Sequence, residues 1–205
     1  MDWMMASESI ALRQLGFRDI KDVMPGQAVF IRRGPAGNDI GPVFHQVEPA
    51  KAYAPDIFEY VYFARPDTVM DGIGVHASRK QMGYRLADKI VSLMGPDKIK
   101  EIDAVVPIPD TSKTSAFCVA ERLGIPYCEA LLKNRYIFRT FIMPEQGLRQ
   151  KSVRRKLSCI DEEFKGRCVL LVDDSIVRGT TSREIVSACL PTSPGKTPDQ
   201  QSRSR

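Results

Sequence analysis

The sequence predicts an α/β fold in which a parallel sheet is flanked by helices, and three observations support this. Short apolar runs alternate with helical patterns between residues 52 and 186. Two of these runs end in polar loops that lead into helices. Residues 1–50 differ, because glycine turns separate short β-rich segments there. We therefore expect a β-rich segment at 1–50 and a parallel-sheet domain at 51–188.

Composition excludes several classes of protein. The chain has 205 residues, of which 43% are apolar, so one sizeable core can form. No run approaches the roughly 18 consecutive apolar residues of a membrane span, and the start lacks a signal-peptide pattern. The five cysteines contain no C-x-x-C pair, which favours reduced thiols. We expect a cytoplasmic protein with no membrane partner.

The most informative segment is residues 168–181, CVLLVDDSIVRGTT. Its apolar half predicts a strand buried on both faces, which is typical of a central, parallel strand. Asp173 and Asp174 then lie at the carboxyl end of that strand. Carboxylates at such a position can bind sugar hydroxyls or a magnesium ion.

The loop after these acids predicts a phosphate site. It contains Ser175 and Gly179, and Thr180 or Thr181 can cap the helix indicated by residues 182–186. N–H groups at a helix start, hydroxyl donors and a glycine that allows close approach together favour an anion. Acids beside a phosphate site point to a phosphorylated sugar as the ligand.

The string DDSIVRGTT closely resembles the ribose-phosphate signature of type I phosphoribosyltransferases, in the form found in the amidophosphoribosyltransferase family. The resemblance implies a type I phosphoribosyltransferase-like parallel sheet with flanking helices, incomplete at its carboxyl-terminal end and preceded by a β-rich remnant of a glutaminase domain. It implies that the acids contact ribose and metal and that the loop holds the 5-phosphate. The implied substrate-binding residues are Asp173, Asp174, Ser175, Ile176, Val177, Arg178, Gly179, Thr180 and Thr181.

Residues 104–112, AVVPIPDTS, predict a strand that gives way to a rigid loop. On its own this is an ordinary strand and turn. The segment resembles the family's VPxPD(S/T) pyrophosphate loop, which implies substrate binding by Asp110, Thr111 and Ser112. By the same resemblance the magnesium ligands are Thr111, Asp173 and Asp174.

Two helical patterns would pack on the sheet. The first covers residues 78–94, with an apolar stripe formed by Met82, Leu86, Ile90 and Met94. The second covers residues 113–123 and stops at Gly124. Its predicted inner face consists of Ala116, Phe117, Ala120 and Leu123.

Residues 133–156 hold eight basic residues and one acid, a net charge of +7, whereas the whole chain carries +5. Such a stretch can be a solvated surface or can bind nucleic acid. Its start, KNRYIFRTFIMP, resembles the family's flexible loop, which closes over bound substrate. The resemblance implies phosphate contacts by Lys133, Tyr136 and Arg139, and no nucleic-acid partner. Phe138 stands where many members have glycine.

Residues 58–67, FEYVYFARPD, alternate aromatic side chains and predict a strand with one aromatic face. The same string occurs in the family near the junction of its two domains. The resemblance implies that Tyr62 and Arg65 help to line a passage for ammonia.

Both ends depart from the family. Residues 1–50 resemble only the last part of the glutaminase domain, and no terminal cysteine supplies its nucleophile, so we expect no glutamine hydrolysis. Residues 189–205 lose all periodicity and are expected to be disordered. We therefore expect a chain that lacks segments at both ends. Some relatives carry an iron–sulfur cysteine just before the FEY string, where this chain has residues 55–57, PDI, so we expect no cluster.

The resemblance implies transfer of glutamine-derived ammonia to phosphoribosyl pyrophosphate, giving 5-phosphoribosylamine, the first step of de novo purine nucleotide synthesis. It also implies a Mg²⁺ cofactor and a homo-oligomer in the intact family. One alternative is a truncated product that binds phosphoribosyl pyrophosphate without turnover. A phosphoribosyltransferase for a purine base is another, although the KNRY and FEYVYFARPD strings argue against it. A basic nucleic-acid-binding module is the most remote alternative.

Overall fold

A computed structural model of the chain describes residues 2–32, 34, 40–134, 157–176 and 179–189. The chain divides into two compact units, Met1–Ser78 and Arg79–Arg205. Residues 51–78 therefore group with the β-rich segment, and the boundary falls inside a helix.

The first unit is built from small elements joined by polar contacts. They are helix α1 (Ser9–Gln14), the antiparallel pair β1 (Gln27–Arg32) and β2 (Ile40–Gln46), and the antiparallel pair β3 (Val69–Met70) and β4 (Ile73–Gly74). The buried Thr68 hydroxyl donates a hydrogen bond to the Glu8 carboxylate at 2.8 Å. The Ser9 hydroxyl donates to the Val69 carbonyl at 3.3 Å. These two bonds tie the start of α1 to β3.

The predicted aromatic strand is wrong, because a π-helix spans Glu59–Phe63. Its closing hydrogen bond, donated by the Ala64 N–H, is 3.0 Å long. Tyr60 is buried, and its hydroxyl donates to the Met70 carbonyl at 3.1 Å and to an Asp71 carboxylate oxygen at 2.8 Å. Alternating aromatic residues favour an extended chain only as a local preference. These contacts with a distant part of the unit outweigh that preference.

The second unit is organised around strand β5 (Ala104–Pro107), which pairs in parallel with β8 (Val169–Val172). All four residues of β5 are buried. On the other edge of β5, Val105 forms a parallel bridge with Tyr127. A second pair, β6 (Leu131–Lys133) and β7 (Leu157–Cys159), is antiparallel. The parallel α/β sheet predicted for this part of the chain is confirmed.

Strand β8 is less enclosed than its apolar run predicts. Val172 is buried, but residues 169–171 are only half-buried. Across the described ranges β8 pairs with β5 alone, so the central strand is β5. The prediction of a parallel strand is confirmed and the prediction of full burial is wrong. An apolar run predicts that its side chains are buried. It does not predict how many strands pair with it, because that depends on the rest of the sheet.

Helices cover both faces of this sheet. On one side Val105 and Val172 pack with Ala87 and with the α4 (Lys113–Leu123) residues Ala116, Val119 and Ala120. The next β5 residue, Val106, points to the opposite face, because side chains alternate along a strand. There it packs with Ala130, Leu131, Phe164 and Ile185. The short helices α3 (Pro96–Ile99) and α5 (Asp161–Phe164) and the helix α6 (Thr180–Cys189) complete the unit.

Helix α4 has the predicted bounds, and Gly124 ends it with a left-handed φ of 69°. One predicted core position is wrong: Phe117 is 52% exposed. Its ring packs edge-on against Tyr127, with a centroid separation of 5.8 Å. The helix buries small residues instead, so the large ring is displaced to the rim.

Helix α2 (Val75–Met94) also packs through small residues, and the predicted apolar stripe is wrong. Leu86 and Met94 are each 38% exposed, and Met82 and Ile90 are half-buried. The buried positions lie on a neighbouring stripe formed by Val75, Arg79, Gly83 and Ala87.

At Gly83 the backbone of α2 lies directly against α4. A Cβ atom there would lie 2.5 Å from the Ser115 carbonyl oxygen and 2.8 Å from the Cys118 Cβ atom. These distances are too short for a side chain, so the two backbones can meet only because this residue is glycine. The close approach explains why the bulky residues of α2 face outward.

In the described part of the chain, no helix is both long enough and apolar enough to cross a membrane. Cys189 is the last residue of α6. The rest of the predicted tail, residues 190–205, lies outside the described residues.

Replacing Gly83 by alanine should destabilise the protein. Overpacking costs about 1–3 kcal/mol, and contacts this short with backbone atoms of α4 belong in the upper part of that range. That cost exceeds the ~1 kcal/mol that alanine gains over glycine within a helix. Urea denaturation of Gly83→Ala should therefore show a lower free energy of unfolding. The matched control is Gln81→Ala, at an exposed position of the same helix, which should not lose stability. Equal stabilities for Gly83→Ala and the native protein would contradict the close packing.

Candidate functional site

The two predicted binding loops leave the sheet side by side. Strands β5 and β8 are paired so that Pro107 lies opposite Val172. One residue further on, the Ile108 N–H donates to the Val172 carbonyl at 2.9 Å. Residues 108–112 and 173–179 therefore start from the same edge of the sheet. In parallel sheets ligands bind at this carboxyl-terminal edge.

Asp173 and Asp174 follow β8 directly and are both half-buried. The Asp174 N–H donates to Asp173 Oδ1 at 2.8 Å, and the Ser175 hydroxyl donates to Asp174 Oδ1 at 2.8 Å. Burial raises the pKa of Asp173, the N–H of Asp174 opposes that shift, and the charge of Asp174 adds to it. Within the described residues the second oxygen of each carboxylate accepts no hydrogen bond. The pair can therefore accept hydrogen bonds from a ligand or coordinate a cation.

The phosphate loop ends in a glycine turn. Gly179 has a left-handed φ of 69°, and its carbonyl accepts a hydrogen bond from the Arg183 N–H at 3.0 Å. Helix α6 begins at Thr180, so Gly179, and not a threonine, takes the cap position. The first N–H groups of a helix have no partner within it and favour an anion. Outside the described residues lie Val177, Arg178 and the side chains of Thr180 and Thr181.

Two further side chains of this loop are placed by the structure. Ser175 is exposed, with its hydroxyl bonded to the carboxylate of Asp174. Ile176 is 78% exposed and apolar, so its contribution to a phosphate site can come only from its backbone. The side chain of Ile176 therefore offers no polar group to an anion.

The loop between β5 and α4 is braced from within. Ser112 is buried, occupies the N-cap of α4 and donates its hydroxyl to the Ile108 carbonyl. Thr111 is half-buried and Asp110 is exposed. Ser112 therefore shapes the loop, whereas the carboxylate of Asp110 and the hydroxyl of Thr111 are the groups that a ligand can reach.

Lys133, at the end of β6, reaches the same loop. Its ammonium group lies 2.8 Å from the Asp110 carboxylate, and the two side chains are 50% and 65% exposed. Exposed ion pairs contribute little to stability, so the ammonium group can exchange Asp110 for a phosphate at low cost. Tyr136, Phe138 and Arg139 lie outside the described residues.

The donor atoms fit a hard cation that is shared with a ligand. In the ranges that the structure describes, no group of three or more His, Cys, Asp and Glu side chains could hold a metal ion. Mg²⁺ prefers oxygen ligands and is commonly held by one or two carboxylates together with substrate phosphates. Asp173 and Asp174 supply such carboxylates, so the residues fit Mg²⁺ bound jointly with a phosphorylated molecule.

Sequence reasoning missed Arg79. This residue of α2 is only 5% exposed, and the carboxylate of Asp174 acts on its charge. Burial lowers the pKa of Arg79 and Asp174 opposes that shift. The sequence did contain a signal for its burial. Arg79, Gly83 and Ala87 are spaced four residues apart, so the arginine lies on the same face of α2 as the small residues.

Tyr62 and Arg65 belong to the first unit. Arg65 forms a two-pronged ion pair with Asp67, with N–O distances of 2.8 and 3.0 Å. The Tyr62 ring lies 5.5 Å from that of Phe58. Their part in an ammonia passage stays a prediction.

The fold and the two loops define a class of protein: an α/β domain of the type I phosphoribosyltransferase kind. No model of a known protein family matches the chain. Curated relatives do match the chain. The amidophosphoribosyltransferase of Schizosaccharomyces pombe is 54% identical over 191 residues, which cover 90% of this chain and 36% of the relative. That of Saccharomyces cerevisiae is 52% identical over 186 residues, covering 91% and 36%.

A solved structure agrees with these relatives. The glutamine phosphoribosylpyrophosphate amidotransferase from B. subtilis, complexed with ADP and GMP, matches with a TM-score of 0.71 and 40% identity over 91% of this chain and 39% of that one. Over most of its length the chain is thus similar to amidophosphoribosyltransferases. It spans little more than a third of the length of the curated relatives it matches.

Replacing Asp173 by asparagine should stabilise the protein when no metal is present. Because the folded-state pKa of Asp173 is raised above 3.8, the ionised carboxylate costs stability at neutral pH. Asparagine removes that cost and can still accept the Asp174 N–H. Thermal unfolding at pH 7 in EDTA should show Tm raised by about 2 °C.

The pH dependence of this gain checks its cause. The native protein holds the Asp173 proton more tightly, so its free energy of unfolding falls as pH rises through the interval above 3.8. The gain in Tm should therefore shrink as pH is lowered towards 3.8. Asp22→Asn, at an exposed carboxylate, is the control and should show neither effect. A lower Tm for Asp173→Asn at pH 7 would contradict the burial cost.

Proposed function

We propose that the loops at the carboxyl ends of β5 and β8 bind phosphoribosyl pyrophosphate together with Mg²⁺. The observation that supports this is the register of the two strands, which starts the acidic loop and the Asp110 loop from one edge. Asp173 and Asp174 would bind the ribose hydroxyls and the metal. Residues 175–181 would hold the 5-phosphate, and residues 110–112 with Lys133 would hold the pyrophosphate.

For the complete protein we propose transfer of ammonia, released from glutamine, to the sugar. The bond from C1 to the pyrophosphate oxygen breaks, the nitrogen lone pair forms the new C1–N bond, and the nitrogen releases one proton. The products are 5-phosphoribosylamine and pyrophosphate. Bound Mg²⁺ would neutralise charge on the departing pyrophosphate. Lys133 would hold the pyrophosphate in place, and the basic segment that follows it would exclude water, which competes with ammonia as nucleophile.

A second candidate is binding of phosphoribosyl pyrophosphate without turnover. Both candidates share the same binding site, and an assay for 5-phosphoribosylamine with added ammonia separates them.

All five cysteines are free thiols, which supports a reducing compartment such as the cytoplasm.

Calorimetric titration tests the proposed ligand. Phosphoribosyl pyrophosphate should bind in the presence of Mg²⁺ and bind at least about tenfold more weakly in EDTA, because the carboxylates and the phosphates then repel each other. Asp174→Asn should weaken the Mg²⁺-dependent binding by a similar factor. Asp22→Asn is again the control. If the native chain did not bind phosphoribosyl pyrophosphate in the presence of Mg²⁺, the proposal would be wrong.

Lys133→Ala should weaken the Mg²⁺-dependent binding of phosphoribosyl pyrophosphate and reduce the sensitivity of that binding to salt. The loss should be about tenfold at low ionic strength and smaller at 0.5 M NaCl, since exposed charges are screened. The matched control is Lys113→Ala, because Lys113 is similarly exposed but pairs with Glu129. Titrations at two salt concentrations provide the measurement. If Lys113→Ala had the larger effect, Lys133 would not be the pyrophosphate ligand.

The nucleic-acid alternative gives the opposite pattern. Binding to RNA through the basic segment should need no Mg²⁺ and should fall steeply with salt. It should also be insensitive to Asp174→Asn.

A further inference from the structure

The hydroxyl of Ser112 serves the loop before α4 and not the helix itself. A serine at an N-cap commonly accepts a hydrogen bond from an N–H group of the first helical turn. Ser112 occupies the N-cap of α4, yet its side chain makes no such bond. The residue is only 2% exposed, and its hydroxyl donates to the Ile108 carbonyl, four residues earlier in the chain. A buried hydroxyl needs a partner, and here that partner lies at the other end of the loop.

Both ends of this loop are anchored by the backbone. The Ile108 N–H donates to the Val172 carbonyl at 2.9 Å, so one end is tied to β8 directly before Asp173. The Ser112 carbonyl accepts the Ala116 N–H at 2.8 Å, so the other end is tied to α4. The side-chain bond from Ser112 joins the two anchored ends. Residues 109–111 therefore form a short closed loop between a strand and a helix.

The closed loop carries the groups that a ligand can reach. Asp110 is exposed and Thr111 is half-buried, and both lie between the residues that the Ser112 hydroxyl joins. Lys133 approaches the same place through its ion pair with Asp110. A loop that is disordered before binding has to be ordered by the ligand, and the lost conformational freedom weakens the affinity. A bond that fixes the loop beforehand removes this cost.

We propose that Ser112 is a positioning residue that gives the site its affinity for the pyrophosphate group, because its hydroxyl holds residues 109–111 in place before the ligand arrives. This inference rests on the proposed function. The hydroxyl is buried and donates to Ile108, so it acts through the loop backbone and does not touch the ligand. Its effect is confined to the pyrophosphate, because the 5-phosphate is assigned to the separate loop at 175–181.

Amide hydrogen exchange, measured by NMR on the full chain without ligand, tests the positioning itself. Ser112→Ala should speed exchange of the Ile108 N–H by about tenfold, since local opening of the loop becomes easier. The Val105 N–H, within β5, is the internal reference and should keep its rate. The matched control is Ser115→Ala, which removes a similar side-chain bond, to the Arg79 carbonyl at 3.1 Å, and should not affect Ile108. Equal Ile108 rates in Ser112→Ala and the native protein would overturn the proposal.

Calorimetric titrations with three ligands test the selectivity. With Mg²⁺ present, Ser112→Ala should raise Kd about tenfold for phosphoribosyl pyrophosphate and for inorganic pyrophosphate. It should change Kd less than about twofold for ribose 5-phosphate, which lacks the pyrophosphate group. Ser115→Ala should leave all three values unchanged. An equal loss for ribose 5-phosphate would mean that Ser112 is only structural, and an unchanged Kd for phosphoribosyl pyrophosphate would overturn the proposal.

Ser112→Cys keeps the test valid if Ser112→Ala does not fold. A thiol fits nearly the same space but is a weak donor, so the Ile108 exchange rate and the Kd for pyrophosphate should both rise severalfold. Native values for both would overturn the proposal. If the native chain itself fails to bind phosphoribosyl pyrophosphate with Mg²⁺, the proposed function falls and the positioning role falls with it. If the native chain binds and the Ser112 variants bind equally well, only the positioning role falls.

Discussion

The structure of the second unit depends on the parallel register between β5 and β8. Four residue pairs, ending in Pro107 and Val172, set which side chains face each helix layer and where both loops begin. A slip of one residue would turn every side chain of β8 to the opposite face. Val172 would then leave the cluster that it shares with Val105, and the two acids would no longer meet the loop at 108–112.

Opposing charges shape the edge that this register creates. Three carboxylates, those of Asp110, Asp173 and Asp174, extend from two neighbouring loops. Lys133 forms an ion pair with Asp110, whereas the burial cost of the Asp173 carboxylate is opposed by one N–H group. A protein selected for stability alone would not retain such an arrangement. Local cost of this kind is typical of binding and catalytic sites, where ligand or metal completes the interactions.

Small residues make the arrangement possible. Gly83 and Ala87 let α2 approach α4 closely, and the same stripe carries Arg79 into the interior. The bulky residues of α2, which a hydrophobicity pattern places inside, lie at the rim. Backbone proximity therefore takes precedence over apolar area at this contact, because protein interiors are close-packed and leave no room for a side chain there.

Local chemistry made part of this molecule predictable. The sequence alone determined the bounds of α4, because a proline-rich turn precedes it and Gly124 ends it. It also determined where the strands β5 and β8 give way to loops, because each apolar run ends in polar residues. It could not place the aromatic segment at 58–63, whose π-helix depends on contacts with residues 70 and 71. Only the tertiary structure decided that β5 is the central strand, that a stripe of small residues and not the apolar stripe of α2 is buried, and that Arg79 is buried with it. Each of these depends on which distant backbones meet, and a pattern along one segment does not encode that.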